Sequence, residues 1–180
     1  MVAPAAFVEE LAAARIGETF NQYAEGERAP FLRERLLGYL ERRAGTDLLL
    51  VGEAPGYRGA RISGIPFTSE RQLTGSGPAE ATATVVHLVL AELGLEQDVL
   101  LWNVVPTHPG TETSNRRPTR REVVEGARFA GVLARGRRVV AVGRVAHQAF
   151  GPAYVRHPSH GGARDFRAGL AGSLNRGSSG

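Results

Sequence analysis

The stretch from Leu48 to Thr68 constrains the fold more than any other part of the sequence. It opens with an apolar run, Leu48 to Val51, that stops at Gly52 and continues into a segment rich in glycine and proline. A short apolar run bounded by turn-forming residues is typical of a strand that is buried on both faces, as strands of parallel sheets are. The stretch therefore predicts a buried strand that ends in a tight turn, Gly52 to Gly56.

Further apolar runs alternate with helical patterns along the rest of the chain. Strands are predicted over four stretches: Leu48–Val51, Val99–Val105, Arg138–Val142 and Tyr154–His157. Helices are predicted over Pro4–Ile16, Pro30–Ala44, Ala79–Leu93, Thr119–Arg135 (opened by a capping box of Thr119 and Glu122), a short segment ending at Phe150, and Ala163–Leu174. Strands that alternate with helices favour a parallel sheet covered on both faces. We therefore predict one α/β domain over residues 1–174, a three-layer α/β/α sandwich around a short, mainly parallel four-stranded sheet, with a disordered tail over 175–180.

Three of the predicted strands end in polar turns that contain glycine or proline. These turns cover Gly52–Gly56, Asn103–Pro109 and His157–Gly162. In open α/β sheets, ligands bind in the crevice outside the carboxyl ends of the strands, which lie on one edge. The three turns therefore predict one pocket. The polar stretch from Thr107 to Pro118 is predicted to be an exposed loop.

Composition narrows the chemistry that such a pocket can carry out. No cysteine is present, which excludes disulfides, cysteine nucleophiles and cysteine-ligated zinc or iron–sulfur centres. All 22 basic residues are arginine and the net charge is +4. Arginine grips phosphate with a planar fork, so a polyanionic partner fits, although genome base composition would also explain the absence of lysine.

The sequence also favours a cytoplasmic location. Glu9 and Glu10 interrupt the apolar N-terminus, which argues against a secretory signal. No apolar run reaches the roughly 20 residues of a membrane span. We therefore expect a cytoplasmic protein that does not contact a membrane.

Four motifs resemble those of the uracil-DNA glycosylase superfamily, in the same order and with the same spacing. They are GEAPG (Gly52–Gly56), IPF (Ile65–Phe67), NVVPT (Asn103–Thr107) and HPS (His157–Ser159). The GEAPG turn resembles the branch that carries an iron–sulfur cluster, which this cysteine-free chain cannot bind. Cluster-free bacterial members with a GIPFT segment and an HPS followed by two glycines are more similar. The resemblance implies a monofunctional DNA glycosylase for uracil or a related deaminated base, without a cofactor or metal.

The resemblance implies a role for each polar side chain of the motifs. The amide of Asn103 would match uracil O4 and N3–H, since it offers both an acceptor and a donor. His157 would donate a hydrogen bond to uracil O2 as negative charge moves onto the departing base. Phe67 would stack under the base, unless it is a core residue. Glu53 would orient the attacking water, unless its carboxylate caps the turn.

The GEAPG turn also departs from the best-known glycosylases. Ala54 stands where those enzymes carry an aspartate that positions the water, so Glu53 is the nearest substitute. Gly56 stands where they carry a tyrosine that excludes the methyl group of thymine, which leaves that space open unless Tyr57 fills it. Together with Gly52 and Phe67, these positions make up the predicted base-binding set.

Several residues on the same loops would face the DNA backbone. The residues expected to contact DNA are Pro55, Ser159, His160, Gly161, Arg61, Arg116 and Arg164. His108 is a further candidate for lining the pocket.

The expected partner is single- or double-stranded DNA that contains a damaged base, and the expected state is a monomer. Because of Ala54, a nucleic-acid-binding protein with little catalysis is the alternative function, and a small-molecule nucleotide hydrolase is a weaker third.

Overall fold

A computed structural model describes residues 3–151, 153–159 and 161–175. The strands are β1 (Leu48–Gly52), β2 (Val99–Asn103), β3 (Gly110–Thr111), β4 (Ser114–Asn115), β5 (Arg138–Val142) and β6 (Tyr154–Val155). The main sheet has the order β2-β1-β5-β6, and every pair in it is parallel. The predicted α/β sandwich around a four-stranded sheet is confirmed.

Eight helices accompany the strands in the described part of the chain. They are α1 (Pro4–Ala13), α2 (Ala29–Arg42), α3 (Ala60–Ser63), α4 (Glu70–Thr74), α5 (Ala81–Glu92), α6 (Arg120–Ala134), α7 (Arg144–Phe150) and α8 (Ala163–Asn175). None of the helices in these ranges has the length and apolar character needed to cross a membrane.

The core lies around β1, whose five residues are all buried. Val51 is paired with Trp102 and Gly52 with Asn103 across the β1–β2 ladder. On one face of the sheet, Phe7 of α1 meets Trp102 and Phe129 edge to face, with ring centroids 5.4 and 5.6 Å apart. This packing holds the carboxyl ends of β1 and β2 side by side.

Several element boundaries differ from the predictions. Helix α1 ends at Ala13 rather than Ile16, because Ala14 is extended and the Asn21 amide donates to the carbonyls of Leu11 and Ala14 at 2.9 and 3.0 Å. Strand β2 ends at Asn103, although Val105 still donates a backbone hydrogen bond to Glu53 at 3.0 Å.

Two segments contain structure that the sequence did not predict. The presumed loop between Thr107 and Pro118 contains the β3–β4 hairpin, and the segment after GEAPG contains α3 and α4. The capping box that opens α6 is confirmed, since Thr119 Oγ1 accepts from Glu122 N at 3.2 Å and Glu122 Oε2 accepts from Thr119 N at 2.7 Å. The tail was predicted to begin at Asn175, but Asn175 is the last residue of α8; the rest of the predicted tail, 176–180, lies outside the described residues.

Candidate active site

The turns that follow the parallel strands line one cavity at the carboxyl edge of the sheet. Its volume is about 70 Å³. The predicted site residues that line it are Glu53, Ala54, Pro55, Gly56, Phe67, Asn103 and His157. A wider and more open depression of about 630 Å³ lies elsewhere, along residues 12–25, and contains none of the motifs. The sequence motifs thus converge on the smaller cavity.

Asn103 places a buried amide in this cavity. It is the last residue of β2, is 3% exposed, and pairs with Gly52 across the ladder. Within residues 3–151, 153–159 and 161–175, neither Oδ1 nor Nδ2 of Asn103 has a hydrogen-bond partner. Neither atom is among the fully buried unpaired polar atoms of the described residues, so the amide stays accessible from the cavity. An unpaired amide that lines a cavity is therefore suited to bind a ligand.

The absence of a side chain at Gly52 makes room for two of its neighbours. A Cβ atom at Gly52 would overlap the ring of Phe67 and would lie 2.9 Å from Oδ1 of Asn103. The backbone of Gly52 is not in the left-handed region, so the requirement for glycine here is one of space. The Phe67 ring and the Asn103 amide can therefore approach each other only over a glycine.

Phe67 adopts a strained backbone conformation. Its φ is +54°, and among the described residues it is the one non-glycine residue with positive φ. Such a conformation is unfavourable for a bulky residue and persists only where the surroundings enforce it. The hydroxyl of Ser63 donates to the Thr68 carbonyl at 2.6 Å, and Thr68 Oγ1 lies 3.0 Å from His87 Nε2. These contacts anchor the residue that follows Phe67, and the half-buried Phe67 ring lines the cavity while it also packs against the core.

The turn after β6 fixes the tautomer of His157. Ser159 N donates to His157 Nδ1 at 3.2 Å, and the Ser159 hydroxyl lies 2.8 Å from the same atom. Because a backbone N–H can only donate, Nδ1 is the acceptor, and the neutral imidazole carries its proton on Nε2. His157 is thus held as a hydrogen-bond donor through Nε2 on the wall of the cavity.

Glu53 is a half-buried carboxyl on the same wall. Burial raises its pKa, and the charge of Arg117 opposes that rise. No backbone N–H of the described residues donates to its carboxylate, so the alternative in which Glu53 caps the turn does not hold there. Its carboxyl group remains available for a water or a ligand.

Glu80 is a second carboxyl group in the cavity that sequence reasoning missed. It is the N-cap residue of α5, and its N–H donates to Ser69 Oγ at 2.8 Å. Burial raises its pKa. From the sequence, α5 was predicted to begin at Ala79, which puts Glu80 in its first turn. Acidic residues are common there because they interact favourably with the helix dipole. Nothing in the sequence distinguishes it from a capping residue.

Three residues that were predicted to line the pocket, Gly52, Tyr57 and His108, do not line the cavity. Tyr57 does not fill the space above Gly56, because its N–H is held by Asn115 Oδ1 at 2.8 Å and the Glu80 carboxyl occupies that space instead. His108 is fully buried, with Nδ1 2.8 Å from the Pro55 carbonyl and Nε2 2.9 Å from the Thr111 carbonyl. His108 therefore supports the GEAPG turn from behind.

Two of the arginines that were predicted to contact DNA, Arg116 and Arg61, make contacts within the protein. Arg116 is committed to the buried Glu122, with Nη2–Oε1 and Nη1–Oε2 distances of 2.6 and 2.8 Å, so its side chain has a structural role. Arg61 lies over the Phe20 ring at 5.0 Å and is 15% exposed, and its Nε has no partner among the described residues. Both side chains thus make contacts within the protein, and their contact with DNA phosphate stays a prediction.

The other predicted DNA contacts lie on the turn after His157 and at the start of α8. Gly161 is exposed with a φ of +77°, and Arg164 is exposed in the first turn of α8. Ser159 is engaged with His157. Pro55 is buried and lines the cavity, and His160 lies outside the described residues. Contact of these residues with DNA stays a prediction.

The described residues contain no group of three histidine or acidic side chains that could hold a metal ion. The polar groups of the cavity are one amide, one imidazole, two carboxyls and the hydroxyl of Thr82. This set can bind a ligand that offers both hydrogen-bond donors and acceptors.

His87 gives the strained segment a dependence on pH. Burial lowers the pKa of His87, with an opposing effect from Glu96. The folded protein therefore resists protonation that the unfolded chain accepts below about pH 6.5, so stability is lost as the pH falls through that value. We expect the melting temperature to fall less steeply between pH 7 and 5 in His87→Gln than in the unaltered protein. Parallel slopes in thermal melts across this range would contradict the assignment.

Comparison with known proteins agrees with the motifs. The sequence model of the uracil DNA glycosylase superfamily matches residues 41–173 of the chain. Among solved structures, SMUG2 from Pedobacter heparinus superposes with a TM-score of 0.72 over 100% of both chains at 12% identity, which shows a shared fold. No curated protein sequence matches. Because the family match spans most of its length, the chain belongs to the uracil DNA glycosylase superfamily.

Proposed function

We propose that this protein is a monofunctional DNA glycosylase that hydrolyses the N-glycosidic bond of uracil or a related deaminated base. Its products are the free base and an abasic site in DNA. Membership of the superfamily supports a glycosylase kind of activity on DNA. The single observation that carries the proposal is the Asn103 amide, which is buried in the cavity without a partner in the described part of the chain.

Recognition begins with extrusion of the base from the stack, which costs a few kcal/mol. The ring of Phe67, held beside the cavity by its strained backbone, stacks on the face of the base. The Asn103 amide accepts from N3–H and donates to O4 of uracil. The fixed position of both groups over Gly52 means that little reorganisation is required when the base enters.

Bond cleavage moves negative charge onto the base. The Nε2–H of His157 donates to uracil O2 and stabilises that charge, and one such preorganised donor is typically worth about 10²–10³-fold in rate. Water attacks the sugar, which has oxocarbenium character in the transition state. Burial raises the pKa of Glu53. Glu53 orients the attacking water, because the position where other members carry an aspartate is occupied by Ala54.

Ala54 supports one alternative, a nucleic-acid-binding protein with little catalysis. An alanine offers no polar group to the water, and a positioned base typically contributes about 10²–10⁴-fold. If Glu53 does not compensate, the cavity binds a base without releasing it. The DNA partner and the pocket are the same in both cases, so only the chemical step distinguishes them.

Strand scission at uracil separates the two functions. A uracil-containing oligonucleotide is incubated with the protein and then treated with alkali, which breaks the strand at abasic sites. We expect breaks with the unaltered protein and a loss of about 10²–10³-fold in Asn103→Ala and in His157→Ala. His147→Ala, which alters an exposed histidine on α7 outside the cavity, should leave the rate unchanged. Binding without breaks would favour the alternative, and full activity in both site variants would overturn the site.

A further inference from the structure

The Glu80 carboxyl occupies the part of the cavity that faces the GEAPG turn. A Cβ atom at either Gly56 or Gly59 would overlap this carboxyl, so the two glycines leave the room that it fills. The backbone of Glu80 is fixed by its hydrogen bond to Ser69 and by its place at the start of α5. The backbone of Glu80 is therefore fixed at the wall, and its carboxyl lies against the two glycines.

Two other half-buried or buried glutamates are paired with arginine, whereas Glu80 in the described part of the chain is not. Glu70 pairs with Arg35 at 2.8 Å and Glu122 pairs with Arg116 at 2.6 Å. Across residues 3–151, 153–159 and 161–175, no hydrogen bond or ion pair reaches the Glu80 carboxyl. A desolvated carboxyl without a partner destabilises the fold, so a structural role does not explain its presence there.

In the proposed function, one edge of the uracil ring faces the cavity wall that carries Glu80. Uracil carries its polar groups at O2, N3 and O4, and those are assigned to His157 and Asn103. The edge that remains is C5–C6, whose C–H groups can make weak contacts with a carboxyl oxygen. A methyl group at C5 would instead meet the carboxyl within a cavity of about 70 Å³, which leaves little spare room.

On these grounds we propose that Glu80 is the specificity-determining residue that excludes a methyl group at C5, and hence rejects thymine. This inference rests on the proposed function, because it takes the base orientation from Asn103 and His157. A single methyl group is typically worth about 10–200-fold in discrimination when a pocket closes on it. Replacing the carboxyl with a shorter apolar side chain opens the space and removes a group that thymine would have to desolvate.

The test compares release of thymine and uracil from oligonucleotides by the unaltered protein, Glu80→Ala and Glu80→Gln. We expect the ratio of thymine to uracil release to rise at least tenfold in Glu80→Ala, and by less in Glu80→Gln, which keeps the volume. Glu34→Ala, which removes an exposed carboxylate on α2, is the matched control and should leave the ratio unchanged. Thermal melts check that each variant is folded; no loss of stability is expected for Glu80→Ala.

A second experiment, which measures binding of the free bases, distinguishes failure of this inference from failure of the proposed function. Affinities for free uracil and free thymine are measured by calorimetry for the unaltered protein and Glu80→Ala. Uracil release with a thymine-to-uracil ratio that Glu80→Ala leaves unchanged overturns the role of Glu80 and keeps the glycosylase. Absence of any release, together with a preference for uracil that is lost in Glu80→Ala, supports Glu80 and overturns the glycosylase. Binding without a preference, in the absence of release, overturns both.

Discussion

Gly52→Ala is expected to reduce base release at least a hundredfold while the chain stays folded. The added methyl group would overlap the Phe67 ring and would lie 2.9 Å from Asn103 Oδ1, so one of the two groups must move. A displacement of about 1 Å in a group that positions substrate can cost about a hundredfold in rate. The backbone of Gly52 is compatible with alanine, so the loss should arise in the site rather than in folding.

Gly131→Ala is the matched control for this substitution. Gly131 lies within α6, has open space around its Cα, and does not have positive φ. Alanine there should leave base release unchanged and raise stability by about 0.5–1 kcal/mol, because glycine is unfavourable inside a helix. Rates of uracil release and urea titrations on both variants test the pair. Unchanged rates of uracil release in Gly52→Ala would mean that base release does not depend on the close approach of Phe67 and Asn103 to Gly52.

Glu122→Ala is expected to lower the free energy of unfolding by about 3 kcal/mol at pH 7. The Glu122 side chain is 2% exposed and accepts both η-nitrogens of Arg116, as well as the backbone N–H groups of Thr119 at 2.7 Å and Glu18 at 3.3 Å. Removing the carboxylate leaves these donors unpaired and removes the capping box of α6. Glu34→Ala again serves as the exposed control and should change stability by no more than about 0.5 kcal/mol.

The pH dependence of this loss follows from the pKa of Glu122. Hydrogen bonding by Arg116, and then by the backbone of Thr119 and Glu18, outweighs burial and lowers the pKa to about 2. A lowered pKa contributes stability that is complete above the usual value of a glutamate and is lost as the pH falls towards about 2. The difference in urea midpoint between the unaltered protein and Glu122→Ala should therefore shrink steadily below pH 4.5. A difference that stays constant down to pH 2 would contradict this.

The sequence predicted the sheet and the meeting of its turns because both follow from local patterns. Apolar runs that stop at Gly52 and at Asn103 predict parallel strands, and parallel strands bring their carboxyl ends to one edge. The helix boundary at Ala13 was missed because it depends on the Asn21 side chain, whose contacts with α1 are tertiary. Helix α4 was missed in a short segment rich in glycine, where local patterns are weak.

Side-chain partners were harder to predict than the fold. The spacing of Thr119 and Glu122 indicated the capping box, but the sequence does not reveal that the same carboxylate also binds Arg116. That pairing gives Arg116 a structural role beside the DNA contact predicted for it. Glu80 was missed for a similar reason, because its relation to Gly56 and Gly59 exists only after the chain has folded over the end of the sheet.

In the proposed mechanism, the turns after β1, β2 and β6 together hold an extruded base. The most direct test of this mechanism is a crystal structure with an oligonucleotide that carries 2′-fluoro-2′-deoxyuridine, since fluorine at C2′ disfavours the oxocarbenium ion and keeps the base attached. We predict the uracil ring against Phe67, with the Asn103 amide at N3 and O4 and His157 Nε2 at O2. A base that stays stacked in the DNA, or that binds away from Asn103 and His157, would contradict the account.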